Sequence, residues 1–136
     1  MQDKNRRDFY KNIGRAWCPA LNDYVAFTSA GLRHLIRKGG KRRSNSEQAR
    51  RFLLLPYAKE IVESSAVEVV HGKDKIIRAD KRHGATVLIR SHADFWTLTK
   101  TYGDTAITVV VRQLAGKEKH FFSIYNAKPK NQKTAS

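Results

Sequence analysis

The spacing of apolar residues changes near the middle of the chain, and this change restricts the fold more than any other feature of the sequence. Up to about residue 63 the pattern is mostly that of helices, with apolar residues three to four positions apart, although Tyr24–Phe27 can form a short extended segment. From Ala66 onward they alternate with polar residues, which is the period of a β-strand. Helices followed by strands predict an α+β fold in which N-terminal helices pack on a twisted antiparallel β-sheet.

A short amphipathic helix is predicted over residues 29–38. Thr28 is a suitable N-cap residue, and the Gly39–Gly40 pair is suited to end the helix. Its apolar stripe holds Leu32, Leu35 and Ile36, and the opposite face holds Arg33, His34, Arg37 and Lys38.

A second helix is predicted to begin after a capping box. Ser44 can accept a bond from the backbone of Glu47, whose own side chain can reach back to the cap. The helical pattern then runs to about Glu63. Pro56 lies inside it and is expected to kink the helix or split it in two, because proline has no N–H to donate.

Six strands are predicted in the second half, at residues 67–71, 75–78, 86–90, 95–99, 107–112 and 121–125. In the last strand, alternation puts Phe122 and Ile124 on one face and Phe121, Ser123 and Tyr125 on the other. The helices are expected to cover the purely apolar face. The mixed face, which also carries Arg112, is suited to stack a base and hold a phosphate.

Length and composition predict one domain, over residues 1–128, followed by a disordered tail at 129–136. No apolar run approaches the length that spans a bilayer, and the charged N-terminus lacks the apolar segment of a signal peptide. A cytoplasmic protein that does not bind membranes is therefore expected. The single cysteine, Cys18, excludes an intramolecular disulfide and a cysteine-based zinc site.

The positive charge of the chain is concentrated in one segment. The net charge is +15, and residues 33–51 alone hold eight Lys or Arg residues and one Glu. Such clustering is typical of proteins that bind polyanions. A merely solubilising surface is the alternative, although self-repulsion opposes it, and the helix in this segment is too short for membrane binding. We expect RNA contacts from Arg33, Arg37, Lys38, Lys41, Arg42, Arg43, Arg82 and His83.

His34 lies at the centre of this basic helix face. Neighbouring cations disfavour the imidazolium, so its pKa is expected to fall below the usual value. A neutral imidazole beside a bound phosphate can act as a general base. An ordinary exposed histidine explains the same sequence, and both interpretations stay open. His120, which begins the last strand, is a second acid or base candidate.

The mixed sheet face offers the remaining groups that cleavage of RNA requires. Transesterification needs a base for the 2′-hydroxyl, an acid for the leaving oxygen and cations for the charged phosphorane. Arg112, Ser123 and Tyr125 are the candidates there, although the two hydroxyl residues can also be plain strand residues. The histidines lack the spacing of metal ligands, and no phosphate-binding glycine loop or carboxylate cluster is present. No metal and no cofactor are therefore expected.

Two segments resemble the barnase–EndoU–colicin–RelE superfamily of small metal-independent ribonucleases, particularly its phage and polymorphic-toxin branches. The first is the Phe-Thr-x-x-Gly-x-x-His stretch formed by Phe27, Thr28, Gly31 and His34. The second is the final predicted hairpin, whose last strand carries a serine followed by an aromatic residue, Ser123 and Tyr125. By this resemblance His34 is the best match for a catalytic residue and Arg112 the next.

The resemblance implies a bacterial or phage toxin that cleaves tRNA or mRNA and leaves a cyclic phosphate. It also implies an acidic antitoxin or immunity protein, for which a chain of +15 is a suitable electrostatic partner. The alternative is a non-catalytic accessory protein that binds RNA or DNA with the same basic surface.

Overall fold

A computed structural model of the chain describes residues 8, 10–38 and 41–127, although not the side chains of residues 38, 78, 80 and 82. The predicted tail at 129–136 and the Gly39–Gly40 pair lie outside the described residues. Residues 8 and 10–13 are helical and form α1. The further elements are β1 (Arg15–Cys18), β2 (Asp23–Ala26), α2 (Ser29–Ile36), β3 (Arg37–Lys38), β4 (Lys41–Arg42), α3 (Asn45–Glu63), β5 (Glu68–Arg82), β6 (Ala85–Tyr102), β7 (Thr105–Leu114) and β8 (His120–Ala127).

The described residues have a mixed α/β architecture, and among them a curled six-stranded sheet has the order β1-β2-β8-β7-β6-β5. Neighbouring strands are antiparallel except β2 and β8, which run parallel where Ala26 pairs with His120. The helices are not a separate N-terminal block, because β1 and β2 precede α2. The sequence pattern did not predict β1. Its four residues do alternate between exposed and buried positions, but four residues are too few to show a period of two.

Helix α2 is two residues shorter than predicted. It ends at Ile36, and β3 then pairs with β4 through Arg37 with Arg42 and Lys38 with Lys41. Thr28 occupies the N-cap position, but its side chain makes no capping hydrogen bond. Part of the predicted basic helix face is therefore a two-stranded ladder that follows the helix.

Helix α3 begins as predicted. The Ser44 hydroxyl accepts a hydrogen bond from the backbone N–H of Glu47 at 3.2 Å, which is the first half of a capping box. The helix continues through Pro56 to Glu63, so the expected split is wrong. Pro56 is exposed, and the packing of the turns on either side of it keeps the helix continuous.

The core lies between the helices and one face of the sheet. It contains the completely buried side chains Leu35, Leu55, Ile61, Leu98, Val109, Val111, Phe121 and Ile124. Tyr10 of α1 packs edge-on against Phe27 and Phe121, each with ring centroids 5.6 Å apart. Among the described residues, no helix has the length and apolar character needed to cross a membrane.

Strands β5 and β6 form one long hairpin where four shorter strands were predicted. Its turn is His83–Gly84, with φ of 53° and 78°, the left-handed pair that suits a two-residue hairpin loop. Residues 93–102 of β6 also pair with β7, whereas the described pairings of residues 75–92 are all with one another. We call residues 75–92 the β-ribbon. The sequence pattern missed its continuity because a ribbon that is exposed on both faces needs no apolar alternation.

Candidate functional site

A β-bulge in β8 sets the geometry of the site. Val110 of β7 pairs with Ser123, and Val111 pairs with Phe121, so Phe122 is an extra residue in β8. Phe121 and Ile124 are both fully buried in the core, which contradicts the predicted alternation that put them on opposite faces. The bulge is the physical reason, because one extra residue reverses the side-chain order beyond it. It also leaves the Phe122 ring outside the core cluster.

The Phe122 ring joins groups from α2 and two strands. The His34 imidazole of α2 stacks on it with centroids 4.0 Å apart and planes 29° apart. The guanidinium carbon of Arg112, from β7, lies 4.4 Å from the centroid of the same ring. Phe95 of β6 packs edge-on at 5.7 Å. We call these four residues and His120 the Phe122 cluster.

Arg112 and His120 form a hydrogen-bonded pair across β7 and β8. The Arg112 Nε donates to His120 Nε2 at 3.0 Å, which requires that nitrogen to be unprotonated. Burial of His120, together with the adjacent charge of Arg112, lowers the pKa of the imidazole below its usual value of 6.5. Burial also lowers the pKa of Arg112. His120 is therefore neutral at pH 7 and can accept a proton on Nε2.

Arg43 also contacts His34. Its Nε donates to the His34 backbone carbonyl at 3.1 Å, and its Nη2 lies 3.5 Å from His34 Nε2. Only 6% of the Arg43 side chain is exposed, and its Nη1 is 3.6 Å from a Glu47 carboxylate oxygen. Arg43 thus orients His34, whereas its neighbours Lys41 and Arg42 are exposed.

Ser123 is engaged by an arginine of α3. Arg51 Nη1 donates to the Ser123 hydroxyl at 2.8 Å and to the Ile124 carbonyl at 3.1 Å. Arg51 Nε donates to Glu47 Oε1 at 2.9 Å, and this bond lowers the pKa of that carboxyl group. Polar contacts therefore continue from His34 through Arg43, Glu47 and Arg51 to Ser123. Glu47 was predicted only as part of the α3 cap, and Arg51 only as one charge of the basic segment, so neither was predicted as a site residue.

In the described part of the chain, two clefts are lined partly by residues of β8. The first, of about 520 Å³, is lined by Arg15, Thr28, Ala30, Arg112, Leu114, Gly116, Lys117, Glu118 and His120. The second, of about 440 Å³, is lined by Glu47, Arg50, Arg51, Leu54, Tyr125 and Asn126. We call them the Arg112 cleft and the Tyr125 cleft. The structure thus brings His34 and Arg112 together on Phe122, whereas Ser123 and Tyr125 lie on the Arg51 side.

The predicted RNA-binding residues are distributed over two regions. Arg33 and Arg37 are exposed on α2 and β3, and His83 is exposed at the turn of the β-ribbon. The side chains of Lys38 and Arg82 lie outside the described residues. His71 belongs to neither region, because it bonds to Asp94 at 2.8 Å and stacks on Trp96. Within the described part of the chain, no three His, Cys, Asp or Glu side chains are grouped as metal ligands.

Replacement of Ser123 by alanine tests the role of its hydroxyl. The change removes one acceptor of the mostly buried Arg51 guanidinium, so we expect the free energy of unfolding to fall by about 1–3 kcal/mol. Chemical denaturation measures this loss, and the matched variant Ser65→Ala, at an exposed position, should change stability by less than about 0.5 kcal/mol. Equal stability of Ser123→Ala and the unmodified chain would contradict the structural role.

Comparison with known proteins found no relative of the chain. The resemblance of the Phe27–His34 segment and the last hairpin to the barnase–EndoU–colicin–RelE superfamily therefore stays a prediction, and the site is described by its own geometry. No protein-family model, curated protein or solved structure matches the chain.

Proposed function

We propose that the chain is an endoribonuclease that cleaves RNA by metal-independent transesterification, with the Phe122 cluster as its active site. The observation that carries the proposal is the meeting of two imidazoles and one guanidinium around a single phenyl ring, beside an open cleft. A base, an acid and a fixed cation are the groups that this reaction requires. All three can be supplied by His120, His34 and Arg112.

His120 is the base in this proposal. Its lowered pKa keeps Nε2 unprotonated at neutral pH, and Nε2 faces the cation that would bind the phosphate. When a phosphate in the Arg112 cleft takes the guanidinium of Arg112 as its partner, the Nε2 lone pair is released. The 2′-hydroxyl then gives its proton to His120 as its oxygen forms a bond to phosphorus.

His34 is the acid. His34 enters the reaction as the imidazolium, which the negative charge of the bound phosphate favours against the neighbouring cations. As the bond between phosphorus and the 5′-oxygen breaks, His34 gives this proton to that oxygen. Arg112 neutralises the non-bridging oxygens of the phosphorane between the two steps. The products are a 2′,3′-cyclic phosphate and a 5′-hydroxyl, and solvent restores the protonation states of the two histidines.

The surroundings supply RNA contacts rather than further proton transfer. The exposed Arg33, Arg37, Lys41 and Arg42 would hold the phosphate backbone. Tyr125, 37% exposed, would stack a base in the Tyr125 cleft, and Arg50 lines the same cleft. Ser123 would act through Arg51, as a positioning residue.

The proposal extends to the biological setting. We propose a bacterial or phage toxin that acts on tRNA or mRNA in the bacterial cytoplasm. An acidic antitoxin or immunity protein would neutralise it, and the net charge of +15 supports such a partner.

A second candidate function, RNA or DNA binding without cleavage, is favoured by one observation. An arginine nitrogen lies within 3.5 Å of Nε2 in both His34 and His120, so the Nε2 atom of each imidazole already has a partner. In a purely binding protein these contacts would be structural, and the basic surface would be the functional feature.

Cleavage in the presence of a chelator tests the proposal. Purified protein incubated with total RNA and EDTA should produce fragments with 2′,3′-cyclic phosphate and 5′-hydroxyl ends. A DNA oligonucleotide should stay intact under conditions that cleave an RNA oligonucleotide of the same sequence, since DNA has no 2′-hydroxyl. Intact RNA that is nevertheless retarded on a gel would support the binding protein instead, and intact unbound RNA would contradict both functions.

A further inference from the structure

The β-ribbon begins beside the Arg112 cleft. The pairing of β6 with β7 ends where Ala93 meets Leu114, and Leu114 also lines that cleft. Two residues further along β6, Phe95 packs against Phe122. The strand that leaves the candidate active site therefore continues directly into the ribbon.

One face of the ribbon combines exposed cations with exposed aliphatic side chains. The register pairs Ile77 with Arg90 and Ala79 with Leu88, and alternation puts Lys75 and Lys81 on the same face. Ile77 is 66% exposed and Leu88 is 71% exposed, higher fractions than for any other large apolar side chain described. Single exposed apolar residues are common, but two neighbours framed by three cations indicate a contact surface.

The composition of the ribbon fits a double-stranded rather than a single-stranded nucleic acid. Residues 75–92 contain no Phe, Trp or Tyr, and proteins hold single strands largely by stacking bases on such rings. Lysine and arginine along a strand instead match the phosphates of a duplex. Double-stranded RNA also has a wide, shallow minor groove, in which aliphatic side chains can lie against the sugars.

The dimensions agree with this interpretation. Eight residue pairs join residues 75–82 to 85–92. At a rise of about 3.3 Å per residue the ribbon is roughly 26 Å long, which is about three quarters of a duplex turn of roughly 34 Å. A second copy of the chain is a poorer partner, because two ribbons of the same positive charge repel each other.

We propose that the β-ribbon is an arm that lies along base-paired RNA and directs an adjoining unpaired nucleotide into the Arg112 cleft. The proposal rests on the proposed ribonuclease function and specifies its substrate class, which is RNA with a stem next to a single-stranded segment. The positions of the aromatic residues support separate sites for the stem and the unpaired nucleotide. Phe95 and Phe122 lie in the Phe122 cluster, where a base can stack, and the ribbon has no aromatic residue.

The test compares a stem with a single-stranded overhang and an unpaired RNA that contains the same overhang. Lys75→Gln with Lys81→Gln should weaken binding of the stem substrate about tenfold or more, and leave binding and cleavage of the unpaired RNA within about twofold. The control is Lys11→Gln with Lys59→Gln, which removes the same charge from exposed sites on α1 and α3 and should leave the stem preference intact.

A shortened ribbon provides a second variant that does not depend on individual charges. Deletion of residues 77–80 and 87–90 removes four consecutive pairs, preserves the His83–Gly84 turn and keeps the remaining side chains on their faces. It should lose the stem preference and still cleave unpaired RNA. Equal losses on both RNAs, or no loss on either, would overturn the ribbon proposal while leaving the ribonuclease in place. A dimer that dissociates on shortening, with the stem preference unchanged, would assign the ribbon to self-association. Absence of cleavage by the unmodified protein would instead refute the proposed function.

Discussion

Replacement of His120 by alanine is expected to slow RNA cleavage by about 10²–10⁴-fold, because the reaction loses its base. Replacement of His34 by alanine should have an effect of the same order, since the leaving oxygen loses its acid. The rate of the double variant should be reduced by less than the product of the two single effects, because the two histidines act in the same reaction step. Single-turnover cleavage of a short RNA in EDTA measures all three rates.

His71→Ala is the matched control for these variants. His71 bonds to Asp94 and stacks on Trp96, outside the Phe122 cluster, so its loss should leave the rate nearly unchanged. If His71→Ala and His120→Ala reduce the rate equally, the cluster is not the active site. Retained RNA binding by inactive His120→Ala would show that the loss is chemical.

The pH dependence of the rate distinguishes His120 from a group with an ordinary pKa. Burial and the Arg112 charge both disfavour the imidazolium, so the pKa of His120 in the folded protein lies below the ordinary value of 6.5. The acid limb of kcat/KM should therefore lie below pH 6.5. In Arg112→Gln the rate should fall, and the limb should move up toward pH 6.5 because one of the two causes is gone. A limb that stays in place would mean that another group titrates.

Replacement of Gly31 by alanine is expected to destabilise the fold and the site together. A Cβ at this position would collide with the Phe121 carbonyl oxygen, and it would lie 2.7 Å from the Tyr10 hydroxyl and 2.9 Å from the Phe121 ring. The first of these is backbone and cannot rotate away, so α2 must move off β8. We expect a loss of about 1–3 kcal/mol, even though alanine favours helix more than glycine does. Because His34 is on α2, cleavage should fall as well.

Gly72→Ala is the matched control for this substitution. Its Cβ would have no neighbour within 4 Å, and its φ is not in the left-handed region. Thermal unfolding should therefore show no loss of stability for Gly72→Ala, and a lower midpoint for Gly31→Ala. If Gly31→Ala unfolds at the same temperature as the unmodified chain, the contact of α2 with β8 is looser than described.

Caps and apolar periodicity in the sequence predicted the helices and strands whose formation depends on residues close together in the chain. Ser44 was identified as the cap of α3, and alternation located strand segments in the second half, although not the continuity of β5 and β6. The pairing of Arg37 with Arg42 was missed, because two-residue strands have no detectable period.

The candidate site could be predicted only in part, for a related reason. His34 and Arg112 were identified as chemically suitable, but their meeting on Phe122 depends on a bulge that has no sequence signal here. The bond from Arg51 to Ser123 joins residues 72 positions apart, and only the tertiary structure brings them together.

The position of β8 in the sheet has a consequence for synthesis of the chain. The last strand that the structure describes is an interior strand, held between β2 and β7. Phe122 and His120 belong to it, and its Phe121 and Ile124 fill the centre of the core. A growing polypeptide on the ribosome therefore has no assembled cluster until residues 120–127 have emerged and inserted. Every incomplete product that stops before them lacks the arrangement of His120, Arg112 and Phe122 on which the proposed cleavage depends.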